Sequence, residues 1–248
     1  MTRPLSQAPA ELGAGIRYLF TDRDGGRSRP PYQSLNLGPA VGDDPADVAA
    51  NRRLVAEACG LDPGALAWMR QVHGTAVRYA DQHWPGQEPE QCDAVFTDRP
   101  GLALSVLVAD CVPVLLADPQ ARLVGAAHAG REGLVAGVVP ALVAAMTAAG
   151  GRPDRIRAAI GPAICGGCYE VPAEMQARVA ATVPSARCWT RAGTAGLDIR
   201  AGVQAQLAAA GVRSVSRDPR CTRETADLFS YRRDGTTGRA AGLVWLEP

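Results

Sequence analysis

The sequence predicts a single-domain α+β protein built on large, partly antiparallel, mixed sheets. Three observations carry that expectation. Three short apolar runs follow one another at 102–108, 112–118 and 123–127, each β-branched or Leu-rich and of a length that suits a buried strand. Helix and strand patterns then mix along the chain without the regular βαβ rhythm of a doubly wound parallel fold. No internal repeat or long low-complexity linker divides the 248 residues, so one domain over 15–248, preceded by a short N-terminal extension at 1–14, is the simplest organisation.

In chain order, a first strand is expected over 15–21, followed by a Gly/Arg/Pro loop over 22–31. Gly13-Ala14-Gly15 precedes that strand instead of following it and lacks a third Gly, so it is not a dinucleotide-binding turn. Asp44-Pro45 caps and opens a helix running to about Cys59, with Gly60 as its stop. Short strands are expected at 67–71, 76–80 and 93–97, ahead of the three apolar runs. Residues 133–149 read as a helix broken or bent by Pro140. A strand at 156–160 leads into a Pro/Gly/Cys loop ending at Cys168. Helices follow at 172–182 and 198–210, the second with Asp198 as N-cap and Gly211 in the C-cap glycine position. Strands at 212–217 and 241–246 close the chain.

Composition narrows the chemistry. All 26 basic residues are Arg, set against 25 acidic ones for a net charge of +1. Without Lys, no Schiff base forms with a carbonyl compound, and no P-loop lysine clamps a nucleotide. A near-neutral balance gives no electrostatic footprint for nucleic acid or an anionic membrane. The longest apolar stretch, 102–116, is interrupted by Asp110 and Pro113 and is too short to span a bilayer. Seven Cys, an odd number at irregular spacing after an N-terminus without a secretory apolar run, favour reduced thiols in a cytoplasm. These features point to a cytoplasmic protein acting on a small molecule, with no nucleic-acid or membrane partner.

Two of the three His, together with one Cys, carry the candidate chemistry. His73 lies in Gln71-Val72-His73-Gly74, at a turn between two short strands. His128 ends an apolar strand in Ala127-His128-Ala129-Gly130, and Cys111 follows Asp110 at the junction of two apolar strands. Strand ends beside Gly are where loops build sites. His83, in Asp81-Gln82-His83-Trp84-Pro85, reads as an ordinary exposed loop residue. Three readings of the set stay open on the residues alone. His73, Cys111 and His128 can hold one Zn²⁺ with a fourth position for water. Cys111 can be a thiolate nucleophile with His128 as its base. Cys111 can also be a small buried hydrophobe beside satisfied loop histidines.

Cys165-Gly166-Gly167-Cys168 lacks a partner pair at metal-site spacing, with Cys188 and Cys221 isolated, and reads as a turn with incidental thiols. Several Arg sit in Gly-rich or polar turns: Arg23, Arg52-Arg53, Arg232-Arg233 and Arg239. Guanidinium forks there suit phosphate or carboxylate.

Taken together, the ordered segments resemble a known family. They are Phe20-Thr21-Asp22-Arg23-Asp24-Gly25-Gly26, Ser34-Leu35-Asn36-Leu37-Gly38, Asn51-Arg52-Arg53, Gln71-Val72-His73-Gly74, Ala109-Asp110-Cys111-Val112-Pro113, Ala127-His128-Ala129-Gly130, Cys168-Tyr169-Glu170-Val171 and Phe229-Ser230-Tyr231-Arg232-Arg233 with Thr237-Gly238-Arg239. This pattern resembles the YfiH family, also called the laccase-domain or peptidoglycan-editing-factor family. The resemblance implies a four-layer α/β/β/α sandwich and makes His73, Cys111 and His128 both the metal ligands and the catalytic residues. It implies Zn²⁺, with Cu²⁺ as the other metal. It further implies a purine nucleoside phosphorylase and adenosine deaminase acting on adenosine, inosine and methylthioadenosine. The alternatives are an amide hydrolase that removes misincorporated L-Ser from a UDP-muramoyl precursor and a copper polyphenol oxidase. A multicopper site needs more His than the three this chain owns. On the leading reading, Arg23, Arg52 and Arg239 grip phosphate, and Asn36 and Gln71 complete the substrate-binding set. One departure stands out: the family's His-Ala-Gly-Trp-Arg-Gly is here His128-Ala129-Gly130-Arg131-Glu132-Gly133, and Arg131 is expected to supply the missing cation.

Overall fold

A computed structural model describes residues 7–81 and 91–248. The apolar runs fold as expected: β6 (Ala103–Val108), β7 (Val112–Asp118) and β8 (Leu123–Ala129) are strands buried along nearly their whole length. They do not all join one sheet. A five-stranded sheet has the order β1 (Ala10–Gly13), β2 (Ile16–Phe20), β13 (Ala240–Leu246), β6 and β3 (Leu66–Trp68). A six-stranded sheet runs β12 (Ser214–Arg217), β9 (Arg157–Ile160), β7, β8, β5 (Ala94–Thr97) and β4 (Val77–Tyr79). Both mix parallel and antiparallel pairs.

The two sheets pack face to face, and the period of two along each strand sorts its side chains between layers. On β6, Leu104, Val106 and Val108 join Leu115 and Ala117 of β7 and Val124 and Ala126 of β8 between the sheets. Ala103 and Leu107 of β6 point the other way, towards Val55 and Ala56 of the helix α1 (Pro45–Ala58). Val112, Val114 and Leu116 of β7 turn outward to a helical layer. That layer is formed by α2 (Arg131–Ala136), α3 (Val138–Ala148) and α5 (Ile199–Ala209). The result is a four-layer α/β/β/α sandwich. Strands covered on both faces have no polar face to show, which is why their sequences read as unbroken apolar runs.

Local chemistry sets the helix ends. Asp44 accepts from the Ala46 N–H at 2.8 Å with Pro45 at the first position of α1, and Asp198 accepts from the Ala201 N–H at 3.0 Å to cap α5. The expected break in 133–149 is real but lies elsewhere. Gly137 takes a left-handed conformation (φ 90°) that ends α2 and starts α3, whereas Pro140 sits in the first turn of α3, where a missing N–H costs nothing. Residues 10–13, expected in an extension ahead of the domain, form an edge strand antiparallel to β2. Three further elements had no clear pattern. They are the strands β10 (Arg187–Trp189) and β11 (Ala195–Leu197), paired as a hairpin, and the short α6 (Tyr231–Asp234), whereas the helix expected at 172–182 forms as α4 (Ala173–Thr182). Among the described residues no helix is long and apolar enough to cross a membrane.

Candidate metal centre and its cavity

Register brings the candidate ligands together. β7 and β8 are antiparallel with Val112 opposite Ala129 and Pro113 opposite His128, so the start of one strand lies against the end of the other. Ala127 and Ala129 face the helical layer, so alternation turns His128 towards the space between the sheets. Cys111 lies on the β6–β7 connection, which crosses from the five-stranded to the six-stranded sheet. His73 lies on the β3–β4 connection, which makes the same crossing. The potential ligand atoms of His73, Cys111 and His128 all fall within 4.8 Å of one another, and the two imidazoles meet edge to face at 4.7 Å.

One carboxylate organises this cluster. Asp93, fully buried just before β5, stands 2.8 Å from His128 Nδ1. The same side chain accepts backbone N–H bonds from Val72 (3.0 Å), His73 (2.9 Å) and Gly74 (2.7 Å). These bonds hold the turn that gives His73 its positive φ of 60°. With Nδ1–H donated to Asp93, His128 is left with Nε2 as its free donor atom. Asp93 was not singled out from the sequence, because three of its four partners are backbone N–H groups that leave no residue signature.

Asp110 does similar work on the other connection. Its carboxylate accepts from Thr222 Oγ1 (2.5 Å), Ser230 Oγ (2.8 Å) and the Arg232 N–H (2.6 Å), fixing a residue at φ 89° immediately before Cys111. Gly130 closes the floor. A Cβ there would stand 2.7 Å from His73 Cδ2 and 3.2 Å from Cys111 Sγ, so only Gly lets the chain pass.

Electrostatics polarise the cluster. Burial raises the Cys111 thiol, but the charges and hydrogen bonds of His128 and His73 outweigh it and bring it down to about 6. Burial lowers His128, yet the Cys111 thiolate and Asp93 push it up to about 9. Two imidazole nitrogens and one thiolate converging with a side open to a cavity fit a three-ligand metal site with an exchangeable fourth position.

The cavity measures about 780 Å³ and five Arg line it: Arg52, Arg70, Arg131, Arg232 and Arg239. Arg52 donates Nε and Nη2 to the Leu37 carbonyl (3.0 and 2.9 Å), lies 4.0 Å over the Trp68 ring, and is lowered to about 10 by burial. Arg239 donates Nη1 to the Thr237 and Gly238 carbonyls. Burial lowers it while the charges of Cys111 and Asp110 push back. Neither has a carboxylate partner among the described residues. Arg131 reaches the cavity but pairs with Glu132 at 2.5 Å.

The remaining expected residues are placed differently. Arg23 does not line the cavity; it donates to the Gln33 carbonyl, lies 5.1 Å over Phe229 and pairs with Asp234. Asn36 is fully buried, accepting from the Gly38 and Arg239 N–H groups and donating to Asp43, so it shapes the loop behind the cavity wall. Gln71 does line the cavity, with its amide paired to both backbone groups of Leu107 at 2.8 Å. His83 lies outside the described residues. Cys221, expected to be isolated, instead receives the Cys165 N–H at 3.3 Å.

Comparison with known proteins agrees with this architecture. Residues 17–247 match the family described as multi-copper polyphenol oxidoreductase laccase. A Streptomyces coelicolor protein named purine nucleoside phosphorylase is 58% identical over 94% of this chain and 96% of its own. One from Corynebacterium glutamicum with the same name is 50% identical over 93% of this chain and 94% of its own. Among solved structures, YlmD from Geobacillus stearothermophilus superposes with a TM-score of 0.89 at 33% identity, covering 100% of this chain and 99% of that one. A Neisseria meningitidis protein gives 0.88 at 36% identity, covering 99% and 100%. A match that spans nearly the whole chain, joined to a shared four-layer fold, shows that the chain belongs to the laccase-domain, or YfiH, family.

Proposed function

We propose that the chain is a zinc-dependent purine nucleoside phosphorylase that also deaminates adenosine, with His73, Cys111 and His128 as the ligands. The carrying observation is their convergence at one wall of a cavity that also holds two half-buried guanidiniums with no carboxylate partner among the described residues. The relatives' name supports the phosphorolysis part of this reading. Zinc, when bound, supplies Lewis acidity and an activated water at neutral pH.

The chain's own residues do the rest. Asp93 holds the proton on His128 Nδ1 and keeps that ring oriented. Arg52 and Arg239 are the cations for inorganic phosphate, whose oxygen bonds to the sugar carbon as the glycosidic bond breaks and the purine leaves with a proton. In deamination, water adds to the purine carbon bearing the amine and ammonia departs. With no Lys in the chain, anion binding falls to Arg forks and backbone N–H groups.

The test is a panel of adenosine, inosine and methylthioadenosine, followed for phosphate-dependent base release and for ammonia. Cys111→Ala is expected to abolish both. Full activity in that variant overturns the metal reading, and turnover only of a UDP-muramoyl peptide overturns the substrate. A second reading makes Cys111 a thiolate nucleophile with His128 as the base that takes its proton, favoured by their mutual pKa displacement. Activity that survives complete chelation would select it.

A further inference from the structure

A second cluster of metal-ligating groups lies outside the site just described. The ligand atoms of Cys165, Cys168, Cys221 and Glu224 all lie within 4.8 Å of one another. They come from two facing turns. In the first, the Cys168 and Tyr169 N–H groups both donate to the Cys165 carbonyl, at 2.9 and 3.0 Å. In the second, the Glu224 and Thr225 N–H groups donate to the Cys221 carbonyl, at 3.1 and 2.9 Å. Each turn presents two ligands three residues apart, the spacing of paired ligands in structural zinc sites, but the second pair is Cys-x-x-Glu and escapes a search for cysteine pairs. The Cys165 N–H donates to Cys221 Sγ at 3.3 Å, tying the first turn to the second. Arg191 brings a counter-charge, donating to Cys168 Sγ at 3.0 Å and pairing with Glu224. Cys165, Cys168 and Cys221 take part in no disulfide.

We propose that Cys165, Cys168, Cys221 and Glu224 form a second, structural metal site for a thiophilic divalent cation such as zinc. Four protein ligands close the coordination sphere, so the bound ion braces the fold and takes no part in chemistry. Its position gives the brace a purpose. Ile164 and Tyr169 flank the first turn and line the catalytic cavity. Thr222, in the second turn, donates to Asp110 beside Cys111. The ion would thus reinforce the contact between two loops that both reach the wall of the cavity.

Metal content of the protein as purified under reducing conditions, compared with Cys165→Ser/Cys221→Ser and with Cys111→Ala, tests this. One equivalent is expected to be lost in the double variant, whatever happens at Cys111. Loss confined to Cys111→Ala, with the double variant unchanged, overturns the second site and leaves the catalytic reading standing. The converse pattern removes the catalytic metal and leaves this site standing. Should the double variant not fold, cobalt substitution of the wild-type protein decides. A three-sulphur site gives a thiolate-to-cobalt absorption well above that of the single sulphur at Cys111. Absorption no stronger than one sulphur supplies, or a disulfide among these cysteines in the purified protein, overturns the proposal.

Discussion

Asp93 Oδ1 sits 2.8 Å from His128 Nδ1 at a position fully closed to solvent. Because that carboxylate also accepts from the His73 N–H, a single side chain sets the aim of two candidate ligands. Asp93→Asn keeps the volume but can no longer hold the imidazole proton as strongly. Zinc affinity is expected to fall by roughly 10–100-fold, as for other partners that orient metal-bound His. Competition with a chromogenic chelator measures it, and unchanged affinity counts against Asp93 as the positioning residue.

Gly130→Ala tests the crowding at the centre. Its Cβ would enter to 2.7 Å from His73 and 3.2 Å from Cys111, so both must move. Overpacking of this kind costs about 1–3 kcal/mol. Bound metal should be lost well before the fold, read as low zinc content in a protein that still melts cooperatively. Normal zinc content would show that the ring can step aside.

The depressed Cys111 thiol predicts a pH profile for the metal-stripped protein. The thiol is deprotonated above about 6, whereas burial pushes Cys59 and Cys188 up to about 11. Iodoacetamide should therefore modify Cys111 first, with a rate that rises through pH 6 and levels off by neutrality. Added zinc should suppress the reaction. A rate still climbing at pH 9 contradicts the paired thiolate.

Arg52 and Arg239 are expected to act on phosphate more than on nucleoside. Replacing either by Ala removes a charge-assisted contact and should raise the KM for phosphate by roughly 10–100-fold, with a smaller effect on the nucleoside KM. Arg52→Lys should not restore it, since its two bonds to the Leu37 carbonyl need a fork. Parallel rises in both KM values would point to a collapsed loop instead.

Arg131 is a weaker candidate for that role, because Glu132 already neutralises it. Arg131→Ala is expected to change kcat/KM less than Arg52→Ala does. A larger loss at Arg131 would restore it as the cation that replaces the missing family residue.

The fold was legible where a strand is covered on both faces, since β6, β7 and β8 then have no polar side to confuse their limits. It was less legible where one residue's geometry decides: Gly137 breaks the helix through its backbone freedom, and Pro140, the louder signal, does not. The positions of His73, Cys111 and His128 at strand ends could be read directly. Asp93 could not, because three of its four partners are backbone N–H groups. Arg23 and Asn36 look like ligand contacts in sequence because Arg and Asn in Gly-rich turns also serve to hold those turns together. Cys221 looked solitary because its turn partner is Glu224, not a second cysteine.

His73 and Cys111 ride on the two connections that cross between the sheets, while His128 belongs to the six-stranded sheet itself. The distances among the three are therefore a gauge of how the sheets sit on one another. A sub-ångström slide of one layer, caused by trimming Val106 or Leu115 in the core between the sheets, would register as a change in how fast a bound ion leaves. For a metal-loaded chain, the off-rate of the ion would thus be a strain sensor for the inner core.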